Sequence, residues 1–170
     1  MTESADRPLA TGTSWNPARP RVLVVACSDG RLQKATDEFL ARHLNITHYD
    51  RLYVPGGAGA LSPSGRDFDR AHRVQKECRY LVELHGVERL IALFHGPSPD
   101  GPAEALCADY RRKFGWATVD ELRKQQEQDA RDLLRFRWEW ANRASVSFYR
   151  CEVDAAGMLN FVLLHKDGAS

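Results

Sequence analysis

Four side chains in this sequence are of types that do chemistry and sit where an α/β chain does it. Cys27, Asp29 and Arg31 fall together in the turn-forming cluster CSDGR, directly after an apolar run. His95 follows a second apolar run, in FHGPS. In open α/β sheets, ligands bind beyond the carboxyl ends of the strands. A thiolate, an imidazole and a carboxylate converging there suit a zinc ion, which makes Cys27, His95 and Asp29 candidate metal ligands. Arg31 stands two residues after Asp29, and a guanidinium can hold a carboxylate through two parallel hydrogen bonds. Plainer readings stand beside this one. A cysteine after a buried strand is often a small core residue, a histidine there a hydrogen-bonded structural group, and CSDGR a tight turn. A metal-free reading also stands, with Cys27 as nucleophile and His95 as base.

The elements that must position these residues follow from the hydrophobic pattern. RVLVVA at 21–26 reads as a buried parallel strand, and 32–45 as a helix. RLYVP at 51–55 predicts a second strand, running into GGAGALSPSG, a loop too glycine-rich for either regular element. Residues 66–85 predict a helix closed by Gly86, and 88–94 a third strand ending at His95. A helix is predicted from about 103 to 114, capped by Ser98 or Asp100, and a longer one over 120–143 with Leu122, Leu133, Leu134 and Trp138 as contacts. SVSFYRCEV and LNFVLLH predict two final strands, joined by the turn DAAG. The order implies an α/β fold with a mostly parallel central β-sheet flanked by helices. Residues 1–20, rich in Pro, Ser, Thr and Ala, read as a flexible arm, and 21–170 as a single domain.

Composition excludes several classes of function. The 170 residues are 43% hydrophobic and 28% charged, with a formal net charge of +1. That balance argues against a nucleic-acid or membrane binder, which needs a basic excess. No apolar run approaches the ~18 residues of a membrane-spanning helix. The first residues hold no hydrophobic signal core, so a cytoplasmic location is expected. Cys27, Cys78, Cys107 and Cys151 are widely spaced, with no CxxC pair, so no disulfide framework is expected. FRWEWANR, with two tryptophans and two arginines, reads either as an amphipathic helix end with Arg stems over apolar surface or as a dimer interface.

Taken together, these segments resemble the β-class carbonic anhydrases. ACSDGR is similar to that family's Cys-x-Asp-x-Arg signature, and LHGVERLIALFHG to the stretch leading into its second motif, His-x-x-Cys. YVPGGAGAL resembles the loop between them, and VDAAGMLNFV the late strand–turn–strand, so the likeness spans about residues 21–165. The resemblance implies a zinc lyase in which hydroxide formed at the metal attacks CO2 to give bicarbonate. Carbonyl sulfide and carbon disulfide are alternative substrates on the related fold. It implies Cys27 and His95 as zinc ligands, Asp29 and Arg31 as the catalytic Asp–Arg pair, and a homodimer. The third ligand does not carry over, because Ser98 stands at the expected cysteine. A serine hydroxyl stays protonated near neutral pH and binds zinc poorly. Asp29 moving onto the metal would restore three ligands, and Asp100, Glu104 and Cys107 are further stand-ins whose spacing matches no family ligand. The family's Arg-Asn pair falls near Gly56 and Gly57, whose backbone N–H groups offer an anion site instead. The alternative implied by these losses is a non-catalytic relative, kept as a binding or subunit-interface module without metal.

Overall fold

The structure is a computed structural model and describes residues 10–66, 68–135 and 143–167. Five strands form one sheet: β1 (Val22–Ala26), β2 (Asp50–Tyr53), β3 (Arg89–Pro97), β4 (Ser145–Val153) and β5 (Leu159–Lys166). Their spatial order is β2-β1-β3-β4-β5. Strands β2, β1, β3 and β4 run parallel, and β5 returns antiparallel to β4 across the turn at 154–157. The predicted α/β class with a mostly parallel central sheet is what forms. Helices α1 (Gln33–Leu44), α2 (Phe68–His85), α3 (Ala108–Lys113) and α4 (Val119–Arg135) flank it.

Alternation along the strands explains two cores. Leu23 and Val25 of β1, with Leu90, Ala92 and Phe94 of β3, pack on the face covered by Val74, Cys78 and Val82 of α2 and Leu122, Ala130 and Leu133 of α4. Val24, Ala26, Ile91 and Leu93 point the other way, onto Phe39 and Leu40 of α1. Being buried on both faces is what makes β1 and β3 continuous apolar runs. Each fully buried Leu or Val contributes roughly 1.5–3 kcal/mol.

Three expectations are corrected. Strand β3 does not stop before His95; it runs to Pro97 because β4 pairs with it as far as Val153. Strand β1 pairs with β3 only up to Val25↔Ala92, so the end of β3 overhangs its neighbour. Pro97, which has no N–H to donate, is tolerated on such an unpaired edge. The single helix over 103–114 is instead a 3₁₀ turn, Ala103–Ala105, then Leu106 in extended conformation and Cys107, then α3. The Ala105 carbonyl accepts from the His95 ring. Neither Ser98 nor Asp100 caps a helix; the Ser98 hydroxyl donates to Asp100 Oδ1 at 2.6 Å. GGAGAL is not an open loop. Gly57–Leu61 form a fully buried 3₁₀ turn, compact because glycine and alanine let neighbouring backbone approach. FRWEWANR, with Trp138, lies outside the described residues except for Arg143. So do residues 1–9 of the predicted arm; residues 10–20 form no helix or strand.

Candidate metal centre

Cys27 is the first residue beyond β1, on a turn held from three sides. Ser28 N–H donates to the Val54 carbonyl at 3.2 Å, and Leu32 N–H to the Asp29 carbonyl at 3.1 Å. Behind the turn sits Gly57, with φ +52. A Cβ there would meet Leu93 O at 2.5 Å and Cys27 N at 2.7 Å, so only glycine fits. This is the role the structure gives PGGAGAL. The N–H groups of Gly57 and Gly59 are bonded to Val54 O and Gly56 O within the turn, so those two are not free for an anion.

Asp29 and Arg31 form the expected pair. Arg31 Nε lies 3.0 and 3.1 Å from the two carboxylate oxygens, its terminal NH2 2.6 Å from Oδ2, and its backbone N–H 3.0 Å from Oδ1. The guanidinium holds the Asp29 carboxyl well below its ordinary value, at about 2. Asp29 is therefore an ionised acceptor fixed in direction. The outer face of Arg31 opens on a groove of about 810 Å³ between α1 and the β4–β5 hairpin, a feature with no sequence signature.

His95 lies buried in the overhang of β3. Its Nδ1 is 3.2 Å from the Ala105 carbonyl. A carbonyl only accepts, so Nδ1 carries the proton and Nε2 presents its lone pair. Nε2 is buried and has no hydrogen-bond partner. The overhang is secured from α4: Gln126 Nε2 donates to the His95 carbonyl at 3.1 Å, and Arg123 donates to the Pro97 carbonyl. Arg123 also pairs with Glu152 at 3.0 Å, and Arg150 with the same carboxylate at 2.7 Å. Helix α4 thus replaces, with side chains, the strand that β1 is too short to supply.

The third member is Cys107, buried at the joint between the 3₁₀ turn and α3. One ligand atom each from Cys27, His95 and Cys107 lie within 4.8 Å of one another. Tetrahedral zinc spaces such atoms about 3.5–3.8 Å apart, so the three side chains have the spread of a coordination shell. The donor set fits zinc on three counts: two thiols, an imidazole whose other nitrogen is tied to a backbone carbonyl, and an orphaned buried lone pair. Asp29, Asp100 and Glu104 are not part of this group, and Ser98 is turned to Asp100. Of the stand-ins for the missing cysteine, the fold brings Cys107.

The electrostatics agree with a metal-ready pair. Cys27 is pulled well below an ordinary thiol, chiefly by hydrogen bonding from Cys107, against the opposing cost of burial. Cys107 is driven up by the same hydrogen bond and by burial. The pair thus favours a thiolate on Cys27 held by a thiol on Cys107. Cys151, opposite His95 in the β3–β4 register, is pushed up to about 12 by burial and stays a thiol. A cavity of about 10 Å³ lies against Cys27, His95 and Cys151.

The sequence matches no family model and no curated protein. Among solved structures, the chain is similar to a carbonic anhydrase from Glaciozyma antarctica, at 19% identity over 91% of this chain and 87% of that one, with a TM-score of 0.47. It is similar to the β-carbonic anhydrase CafA of Aspergillus fumigatus at 13% identity, over 87% of this chain and 77% of that one, with a TM-score of 0.47. It is also similar to a carbonic anhydrase from Streptococcus mutans at 19% identity, over 89% and 87%, with a TM-score of 0.44. At this level the likeness concerns the path of the backbone; what the centre can do is read from its own atoms.

Proposed function

We propose that this chain is a zinc lyase of the β-carbonic anhydrase type, with Cys27, His95 and Cys107 as its three protein ligands and CO2 as substrate. The observation that carries the reading is the buried, unpartnered Nε2 of His95 beside two thiols, one of them already favoured as thiolate. Zinc in a three-ligand site lowers the pKa of water to about 7 and so makes a nucleophile available at neutral pH. The chain's own residues do the rest. His95 is oriented through Ala105, and its carbonyl is anchored by Gln126. Asp29 supplies an ionised oxygen that accepts a hydrogen bond from the nucleophile and orients it, and Arg31 keeps that carboxylate charged and turned. Carbonyl sulfide or carbon disulfide would suit the same arrangement. A cytoplasmic homodimer of single domains spanning 21–170 belongs to this reading, and light scattering tests the dimer.

A second reading, a metal-binding relative without catalysis, is favoured by the size of the cavity at Cys27 and His95, about 10 Å³, room for about one water-sized molecule. The two separate cleanly. Protein prepared without added metal is analysed for zinc, and CO2 hydration is followed by stopped flow with a pH indicator. Zinc with hydration abolished by Asp29→Asn supports the lyase. Zinc without hydration supports the relative. Absence of metal after zinc is offered removes both and leaves the metal-free binding or subunit-interface module.

A further inference from the structure

Two thiols that can share an ion can also meet each other, and here they differ in setting from the other two cysteines. Cys27 is partly open at the turn after β1, while Cys107 is buried beside it. Each lies in a joint, Cys27 in the CSDGR turn and Cys107 between a three-residue 3₁₀ turn and a six-residue helix. Their sulfurs fall within 4.8 Å. A disulfide needs them about 2.05 Å apart, and the remaining approach falls on two short joints. Cys78, by contrast, lies inside α2, and Cys151 in β4, paired on both sides. Of the four cysteines, Cys27 is the partly exposed one and the other three are buried, so its sulfur is the one a dissolved oxidant meets first.

We propose that Cys27 and Cys107 form a peroxide-driven disulfide, so that the ion-bound dithiol and the ion-free disulfide are alternative states of one centre. The second half of this statement rests on the metal reading above; the first half does not. The Cys27 sulfur attacks one peroxide oxygen, the O–O bond breaks, and the departing hydroxide takes a proton to leave as water, giving a sulfenic acid. The Cys107 sulfur then attacks the sulfenic sulfur. The S–S bond forms, the S–O bond breaks, and the hydroxide leaves as water with the Cys107 proton. In sum, two thiols and one hydrogen peroxide give one disulfide and two waters. Thiolates, not disulfides, are the metal ligands, so closure releases the ion.

The experiment uses the full chain in two forms, freed of metal by chelation and loaded with zinc. Each is treated with hydrogen peroxide, then assayed by free-thiol count, intact mass and peptide mapping, with released zinc read by a chromogenic chelator. The expected result is the loss of two of the four thiols, a Cys27–Cys107 linkage reversed by dithiothreitol, and one zinc released per disulfide. Cys151→Ser should close the same disulfide. The proposal is overturned if Cys27 climbs to sulfinic acid while Cys107 remains alkylatable, or if the mapped partner is Cys151. A chain that closes the disulfide yet never takes zinc sinks the metal reading alone; one that takes zinc yet never closes it sinks the disulfide alone.

Discussion

Replacing Cys107 by alanine separates the ligand set drawn here from its competitors. Four-ligand structural zinc sites have apparent binding free energies of about 10–16 kcal/mol, or about 2.5–4 kcal/mol per ligand. With about 1.4 kcal/mol per tenfold, loss of one thiolate weakens zinc binding by roughly a hundredfold to a thousandfold. The fold itself should survive. Cys107 is 2% exposed and packs in the main core; removing one sulfur from such a site costs on the order of 1 kcal/mol. The assay is competition for zinc against a chromogenic chelator near pH 7, with thermal unfolding of both metal-free proteins as control. Ser98→Ala is the companion variant and should leave affinity unchanged, since the Ser98 hydroxyl is spent on Asp100. Unchanged affinity in Cys107→Ala, with a large loss in Asp29→Ala, would refute the reasoning and put the carboxylate on the metal.

Other outcomes follow from the same geometry. Gly57→Ala forces a Cβ to 2.5 Å from a carbonyl at positive φ and should destabilise the metal-free protein by about 2 kcal/mol or more; an unchanged urea midpoint would contradict the close packing behind Cys27. In the metal-free protein, alkylation of Cys27 between about pH 6 and 8 should depend less on pH than that of an ordinary thiol, because Cys107 beside it holds its value down; a rate rising tenfold per pH unit would mean an ordinary thiol. The Asp29 carboxyl should titrate near 2, and Arg31→Ala should return it towards the ordinary carboxylate value, read by carbon-detected NMR. Since the folded value is the lower one, this pair adds stability above the unfolded value that fades as pH falls towards 2. With Arg31 largely exposed, that contribution is about 1 kcal/mol at most.

Much of the fold was legible because its signals are local. The doubly buried strands β1 and β3 announce themselves as unbroken apolar runs, and the β4–β5 hairpin by its turn. Cys27, Asp29, Arg31 and His95 were legible as candidates because they stand at strand ends, where sequence position and spatial position nearly coincide. Cys107 stands in the sequence only as one of three further stand-ins, beside Asp100 and Glu104, with nothing local to choose it. Helical spacing over 103–114 places it in mid-helix, and the break before it arises from a tertiary contact, the Ala105 carbonyl accepting from His95. The buried GGAGAL turn was misread for a similar reason. Glycine content signals freedom in a loop, but here it permits contact with Leu93 O and Cys27 N, which no local pattern records. The overhang of β3, and its side-chain clamp from α4, depend on β1 being shorter than β3, a relation between strands that neither strand shows alone.

The centre also bears on how the chain folds and comes apart. Cys27 is reached through β1, His95 through β3, and Cys107 through the segment after it, so no two of the three are close in sequence. An ion can hold all three only when β1 has paired with β3, a parallel contact across a helix–strand–helix excursion. Non-local closures of this kind are slow and carry much of the folding barrier. Contacts completed after that barrier leave the folding rate alone and slow unfolding instead. The three side chains would then act on the lifetime of the native state: ion binding lowers the unfolding arm of a chevron plot, and the folding arm stays where it was.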